Sequence, residues 1–73
     1  MKYERLYELR EKHNLKQIAL ANELCIKQGT YSYYENGLIN VPIEAFVKLA
    51  KFYNTSIDYL VGLTDDESPY KRK

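Results

Sequence analysis

The chain has 73 residues, a net charge of +1 and a hydrophobic fraction of 45%, which is enough for one small core. This length allows one domain and excludes a second. Its single cysteine and single histidine exclude an internal disulfide, a cysteine-rich zinc site and multi-histidine metal chemistry. No apolar run approaches the roughly 18 residues that cross a bilayer. Charged residues soon follow Met1, so we expect no signal peptide and a soluble, cytoplasmic protein.

Apolar residues recur at steps of three and four along the first half of the chain, which predicts short amphipathic helices. In the first helix, Leu6 and Leu9 share one side. A second helix is predicted over residues 17–24 and a third over residues 28–36. The third ends at Gly37, because glycine is the usual residue beyond a helix C-terminus. No alternation of apolar and polar residues long enough for a β-strand is present.

In the second half, Pro42 opens a fourth helix, since proline is tolerated in a first turn. The apolar stripe of this helix is predicted to comprise Ile43, Phe46, Val47, Leu49, Ala50 and Tyr53. Ser56 is a favourable N-cap for a fifth helix over residues 57–61. The predicted architecture is therefore all-α, with a compact five-helix domain over residues 1–64. Residues 65–73 are predicted to form a charged, flexible C-terminal tail.

About three residues join the second and third helices, so the two must cross at a steep angle, with the small Ala21 at their closest approach. The opposite face of the third helix is left outside, polar and nearly uncharged. This face consists of Gln28, Gly29, Ser32, Tyr33 and Asn36. A helix of this size fits the DNA major groove, where a glutamine side chain can pair with the N6 and N7 edge of adenine.

Both helices also begin with residues suited to DNA. Gln17 and Gln28 stand at the two helix starts, where unpaired N–H groups favour phosphate oxygens. Lys16 and Lys27 precede them, where serine or threonine would cap the helix, and a lysine there could add attraction to phosphate.

Several segments in order carry a family resemblance. They are Leu15-Lys16-Gln17, Leu20-Ala21, Tyr34-Glu35-Asn36-Gly37, Leu49-Ala50-Lys51 and Ser56-Ile57-Asp58-Tyr59-Leu60-Val61-Gly62-Leu63-Thr64-Asp65. With this order and spacing, the chain resembles the lambda-repressor/Cro-like (XRE-type) helix-turn-helix domains of bacterial and phage transcription regulators. The resemblance covers about residues 3–64 and implies a lambda-repressor-like fold with the helix-turn-helix at the second and third helices.

The resemblance also implies roles for individual residues. The position of Gln17 holds a DNA phosphate in the family. Positions that face base edges are Gln28, Gly29 and Tyr33, and those near the backbone or bases are Lys27, Thr30, Ser32 and Asn36. Arg10 and Glu35 match positions that commonly form an internal ion pair bracing the first helix to the third.

Several positions depart from the family pattern, including Lys16 and Lys27 at the helix starts and the loop of residues 36–40, which lacks the usual lysine or arginine. Cys25 occupies a turn position usually held by glycine, where the backbone often needs a positive φ. Gly29 stands where a base-reading side chain is expected, and Tyr33 replaces a common arginine. These departures affect the DNA sequence that is read and the affinity more than the fold.

By this resemblance the protein is a sequence-specific double-stranded DNA-binding regulator. It is expected to repress transcription, as a homodimer on a pseudo-palindromic operator. Apolar residues expected at the surface favour such a dimer, namely Leu38, Ile39, Tyr59, Val61 and Leu63. The alternative is that these residues simply cap the core. An enzyme is not expected, because the chain has no paired carboxylates, Ser/His set or glycine-rich phosphate loop. No cofactor, metal or membrane contact is predicted, and no small-molecule effector is identified.

The low net charge supports a different hypothesis. Domains that bind nucleic acid often carry a basic excess, which this chain lacks. An antitoxin or a non-catalytic adaptor, with a protein as its main partner, therefore stands as the alternative.

Overall fold

A computed structural model describes residues 2–69, which contain five α-helices and no β-strand. The helices are α1 (Glu4–Lys12), α2 (Gln17–Leu24), α3 (Gln28–Asn36), α4 (Ile43–Tyr53) and α5 (Ile57–Val61). The predicted all-α, five-helix architecture is confirmed. Residues 70–73 of the predicted tail lie outside the described residues. None of the helices within residues 2–69 has the length and apolar character to span a membrane.

All five helices end in the same way, at or just before a residue in the left-handed conformation. These residues are Asn14, Cys25, Gly37, Asn54 and Gly62. The next amide then donates to a carbonyl five residues back, for example from Ile26 N to Ala21 O at 2.9 Å. Such turns pair the carbonyl groups that a helix end leaves unsatisfied, which is why each helix stops where it does.

Two predicted helix boundaries are set by single residues. Gly37 has φ +72°, and a Cβ there would lie 2.9 Å from the backbone of Lys2, so both conformation and space require glycine. The Ser56 Oγ accepts a hydrogen bond from Tyr59 N at 3.0 Å, which confirms the predicted N-cap of α5.

Cys25 lies in the turn between α2 and α3 with φ 58° and ψ 41°. A side chain in this conformation carries a steric penalty that glycine avoids. We expect Cys25→Gly to raise the free energy of unfolding by about 0.5–1 kcal/mol. Cys25→Ala keeps the penalty and serves as the control. Urea titration followed by circular dichroism measures both, and equal stability of the two variants would contradict the argument.

The core is built from all five helices. Its buried apolar residues are Leu6, Leu9, Leu20, Ala21, Leu24, Tyr31, Tyr34, Ala45, Phe46, Leu49, Ala50, Tyr53 and Leu60. Ala21 and Tyr31 are fully buried where α2 packs against α3, which agrees with the predicted small residue at the helix crossing. Because the core faces of α2 and α3 are locked together, the outer face of α3 is held in a defined orientation.

Two predictions of apolar burial in α4 were wrong. Ile43, 60% exposed, and Val47 are on the surface, although both were placed in the apolar stripe of α4. Phe46 and the other buried residues of α4 already cover the core. The apolar stripe of α4 is wider than the core surface beneath it, so its outer residues stay exposed. Conversely, Tyr59 and Val61, expected on the surface, are partly buried against the core.

The segment after α5 folds back onto the domain. The Arg5 guanidinium pairs with Asp65 at 2.5 Å, and Lys12 Nζ pairs with the Glu67 carboxylate at 3.0 Å. Thr55 Oγ1 donates a hydrogen bond to the backbone carbonyl of Glu67 at 2.6 Å. Residues 65–67 therefore contact the first helix and the α4–α5 turn, while the domain boundary at residue 64 stays a prediction.

Candidate nucleic-acid interface

The outer face of α3 carries most of the predicted contact residues. Gln28, Gly29, Tyr33 and Asn36 are exposed, and Thr30 and Ser32 are half-buried. Tyrosines of the same helix divide between its two sides, since Tyr31 and Tyr34 lie in the core while Tyr33 is 50% exposed. Asn36 Nδ2 donates to Ser32 Oγ at 3.3 Å, one turn away on this face. The face is therefore uncharged and rich in hydrogen-bonding groups, and its residues are not part of the buried core.

The starts of α2 and α3 supply the remaining predicted residues. Lys16 and Lys27 are exposed and hold the N-cap positions, and neither makes a side-chain cap. An ammonium group only donates hydrogen bonds, so it cannot accept from the first-turn N–H groups. Each helix start therefore combines a positive side chain with uncapped backbone donors, an arrangement that favours an anion.

Arg10 and Glu35 are brought together between α1 and α3. Arg10 Nε donates to Glu35 Oε2 at 2.6 Å, and Nη2 donates to Oε1 at 3.1 Å. Arg10 Nη1 also donates to the backbone carbonyl of Leu15, at 3.0 Å. The pair is bidentate, and the Glu35 side chain is only 4% exposed, so this contact holds α3 against α1.

Burial alone would raise the pKa of Glu35. The hydrogen bond from Arg10 and the nearby polar groups of Tyr31 and Gln17 outweigh burial and lower that pKa below its ordinary value. Burial raises the pKa of Tyr31, and the adjacent Glu35 carboxylate raises it further. The Tyr31 hydroxyl approaches this carboxylate without meeting the geometry of a hydrogen bond. Because its pKa lies below 4.5, Glu35 is ionised at neutral pH.

The sequence did not predict a hydrogen bond between Gln17 and Glu35. Gln17 Nε2 donates to Glu35 Oε1 at 3.4 Å, so a predicted phosphate-contacting side chain touches the buried ion pair. The two residues are 18 apart in the chain, and no local pattern signals their contact. Because Arg10 neutralises Glu35, the Gln17 amide is held by a carboxylate whose negative charge is already paired.

The lowered pKa of Glu35 makes stability depend on pH. The unfolded carboxyl group titrates near 4.5 and the folded one below it, so the unfolded state binds more protons in acid. The stabilising contribution of Glu35 is full above about pH 4.5 and declines as pH falls through the folded pKa. We expect the stability difference between the unsubstituted protein and Glu35→Gln to shrink between pH 6 and pH 3, measured by urea unfolding. Glu23→Gln, at an exposed side chain, is the control, and a pH-independent difference for Glu35→Gln would contradict this prediction.

Within residues 2–69, no group of three or more histidine, cysteine or acidic side chains is placed to hold a metal ion.

The chain matches known helix-turn-helix proteins in both sequence and structure. A family model described as helix-turn-helix matches residues 6–60, which is most of the chain. The chain belongs to the helix-turn-helix family of transcriptional regulators. The relatives that the chain matches are named as transcriptional regulators or as a transcriptional repressor, and none of these names is that of an enzyme.

Three relatives illustrate the family. The chain is 39% identical over 66 residues to the uncharacterized HTH-type transcriptional regulator YobD of Bacillus subtilis (strain 168), covering 90% of this chain and 59% of that protein. It is 35% identical over 69 residues to the cryptic phage CTXphi transcriptional repressor RstR of Vibrio cholerae, covering 94% and 62%. The crystal structure of a transcriptional regulator from Listeria innocua is similar, with a TM-score of 0.80 at 34% identity, covering 88% and 60%. The chain thus spans about three fifths of the length of these helix-turn-helix relatives.

Proposed function

We propose that the protein binds double-stranded DNA sequence-specifically and regulates transcription, with α3 inserted in the major groove. The outer face of α3 is the observation that carries this proposal. Gln28 and Tyr33 are exposed on a helix whose other side is locked in the core. Amide and hydroxyl groups on a rigid helix are suited to reading base edges, and the lysines at the helix starts are suited to phosphates. Such a protein acts where DNA lies, in the cytoplasm of a bacterial cell.

Selection of duplexes from a random pool tests this function most directly. We expect a common sequence motif among the retained duplexes, with an affinity that declines as salt rises, because phosphate contacts release counterions. Retention of duplexes without any sequence preference, or no retention at low salt, would contradict the proposal. The low net charge favours the second candidate, an antitoxin or adaptor, and tight binding to a protein partner without duplex preference would support it.

We further propose that a homodimer binds a pseudo-palindromic operator and represses by occluding a promoter. Exposed apolar residues lie together in the chain, in the α3–α4 loop and along the outer side of α4. They are Leu38, Ile39, Ile43 and Val47. We propose that a second copy covers them in a two-fold dimer, whose two copies of α3 must lie about 34 Å apart to enter successive major grooves. The name of RstR, a transcriptional repressor, supports the repressor role.

The dimer is tested by sedimentation equilibrium. Ile43→Gln removes apolar surface from the proposed interface, and Tyr7→Gln removes an exposed aromatic ring from α1 as the matched control. We expect weaker self-association for Ile43→Gln only. A monomeric unsubstituted protein, or equal association of both variants, would refute this interface, whereas duplex binding is measured separately.

A further inference from the structure

Gly29 differs from the other two glycines of the chain. Gly37 and Gly62 both adopt positive φ, at +72° and +89°, where they end helices. Gly29 has no such conformation and lies in the first turn of α3. A Cβ built there meets nothing within 4 Å, apart from its own helix backbone and chain neighbours. Neither the backbone nor the packing of the domain therefore requires glycine at this position.

A side chain at position 29 would make the fold more stable than glycine does. Glycine destabilises a helix relative to alanine, because it loses more conformational freedom on folding. Gly29 is exposed, on the face that also presents Gln28 and, one turn further on, the Tyr33 ring. Its missing side chain leaves open space at this position, on the surface proposed to meet DNA. We refer to this space as the gap at Gly29.

The chemistry of the gap limits what can occupy it. Gly29 offers only its backbone and Cα hydrogens there, so it has no side-chain group that could donate or accept a hydrogen bond. Base edges in the major groove present hydrogen-bonding groups and one apolar group, the C5-methyl of thymine. We propose that Gly29 is a specificity-determining residue whose missing side chain admits a thymine methyl group, next to the base pair contacted by Gln28. This inference rests on the proposed DNA binding and assigns a base preference within it.

The test is a double-substitution cycle, in which the protein and the DNA are each changed at the proposed contact, separately and together. Gly29→Ala adds a methyl group to the protein, and deoxyuridine in place of thymine removes one from the selected duplex. We expect Gly29→Ala to bind the thymine duplex at least about tenfold more weakly than the unsubstituted protein does. On the deoxyuridine duplex the loss should be less than about threefold, since the removed methyl makes room for the added one. The unsubstituted protein should itself lose about fourfold on deoxyuridine, the contribution of one buried methyl group.

Stability gives an independent readout. Gly29→Ala should raise Tm by about 2–6 °C, so weaker binding cannot be attributed to unfolding. Gly62→Ala is the control, because a side chain at φ +89° should lower Tm while duplex affinity, measured well below that Tm, stays unchanged.

The outcomes separate this inference from the function on which it rests. If the unsubstituted protein selects no duplex motif, the proposed function itself fails. If a motif is selected but contains no thymine beside the position sensitive to Gln28→Ala, the inference is overturned while DNA binding stands. Equal losses for Gly29→Ala on the thymine and deoxyuridine duplexes, or no loss on either, overturn it in the same way.

Discussion

Arg10→Met is expected to lower the free energy of unfolding by about 3–5 kcal/mol, because it leaves the Glu35 carboxylate buried without its partner. Both side chains are largely shielded from solvent, at 11% and 4% exposure, and the pair is bidentate. The variant also loses the hydrogen bond to the Leu15 carbonyl. A domain of this size has only about 5 kcal/mol or slightly more to lose, so we expect partial unfolding at 25 °C by circular dichroism.

A matched control lies two residues along the same helix. Lys12 pairs with Glu67, but both side chains are substantially exposed, and Lys12→Met should lower stability by less than about 1 kcal/mol. Replacing both members, as Arg10→Met with Glu35→Met, should recover much of the loss, since no buried charge is then unpaired. Equal urea midpoints for Arg10→Met and Lys12→Met would show that the buried pair does not brace the fold.

Gln28→Ala should weaken binding to the selected duplex by about 10- to 100-fold, the effect of losing a bidentate contact with one base. Among residues 2–69 the exposed Gln28 side chain has no hydrogen-bond partner, so stability should change by less than about 0.5 kcal/mol. Preference should relax at one base pair of the motif, which fluorescence anisotropy on single-substitution duplexes measures directly.

Lys27→Ala, one residue earlier, is expected to behave differently. A phosphate contact carries no sequence information, so all duplexes should weaken together and the salt slope should fall by about one. Asn22→Ala removes an exposed amide outside the predicted contact residues and should leave affinity unchanged. If Gln28→Ala weakened every duplex by the same factor, direct base reading by α3 would be contradicted.

The helices were predictable because local chemistry sets their ends. Gly37, Ser56 and the asparagine at residue 54 act within one turn of their own position, through positive φ or through a capping hydroxyl. The left-handed conformation of Cys25 was instead expected from the family resemblance, in which glycine usually holds this turn position. The exposure of Gln28 and Tyr33 on α3 likewise follows from helical periodicity, once Tyr31 and Tyr34 are assigned to the core.

The pairing of Arg10 with Glu35 was reachable only through family resemblance, since 25 residues separate them. The contact of Gln17 with Glu35 was not anticipated at all. Both depend on how α1, α2 and α3 are placed in space, which no window of local sequence contains. The same holds for Arg5 and Asp65, which lie 60 residues apart and meet because α1 packs beside α5.

By itself, the amino-acid sequence determined the five helices, their ends and the uncharged outer side of α3, because propensity, capping and periodicity act over a few residues. Tertiary structure alone decided which apolar side chains the small core could cover, leaving Ile43 and Val47 outside and drawing Tyr59 inward. It also decided that Gly29 faces open space, because only the packed arrangement reveals what surrounds a missing side chain.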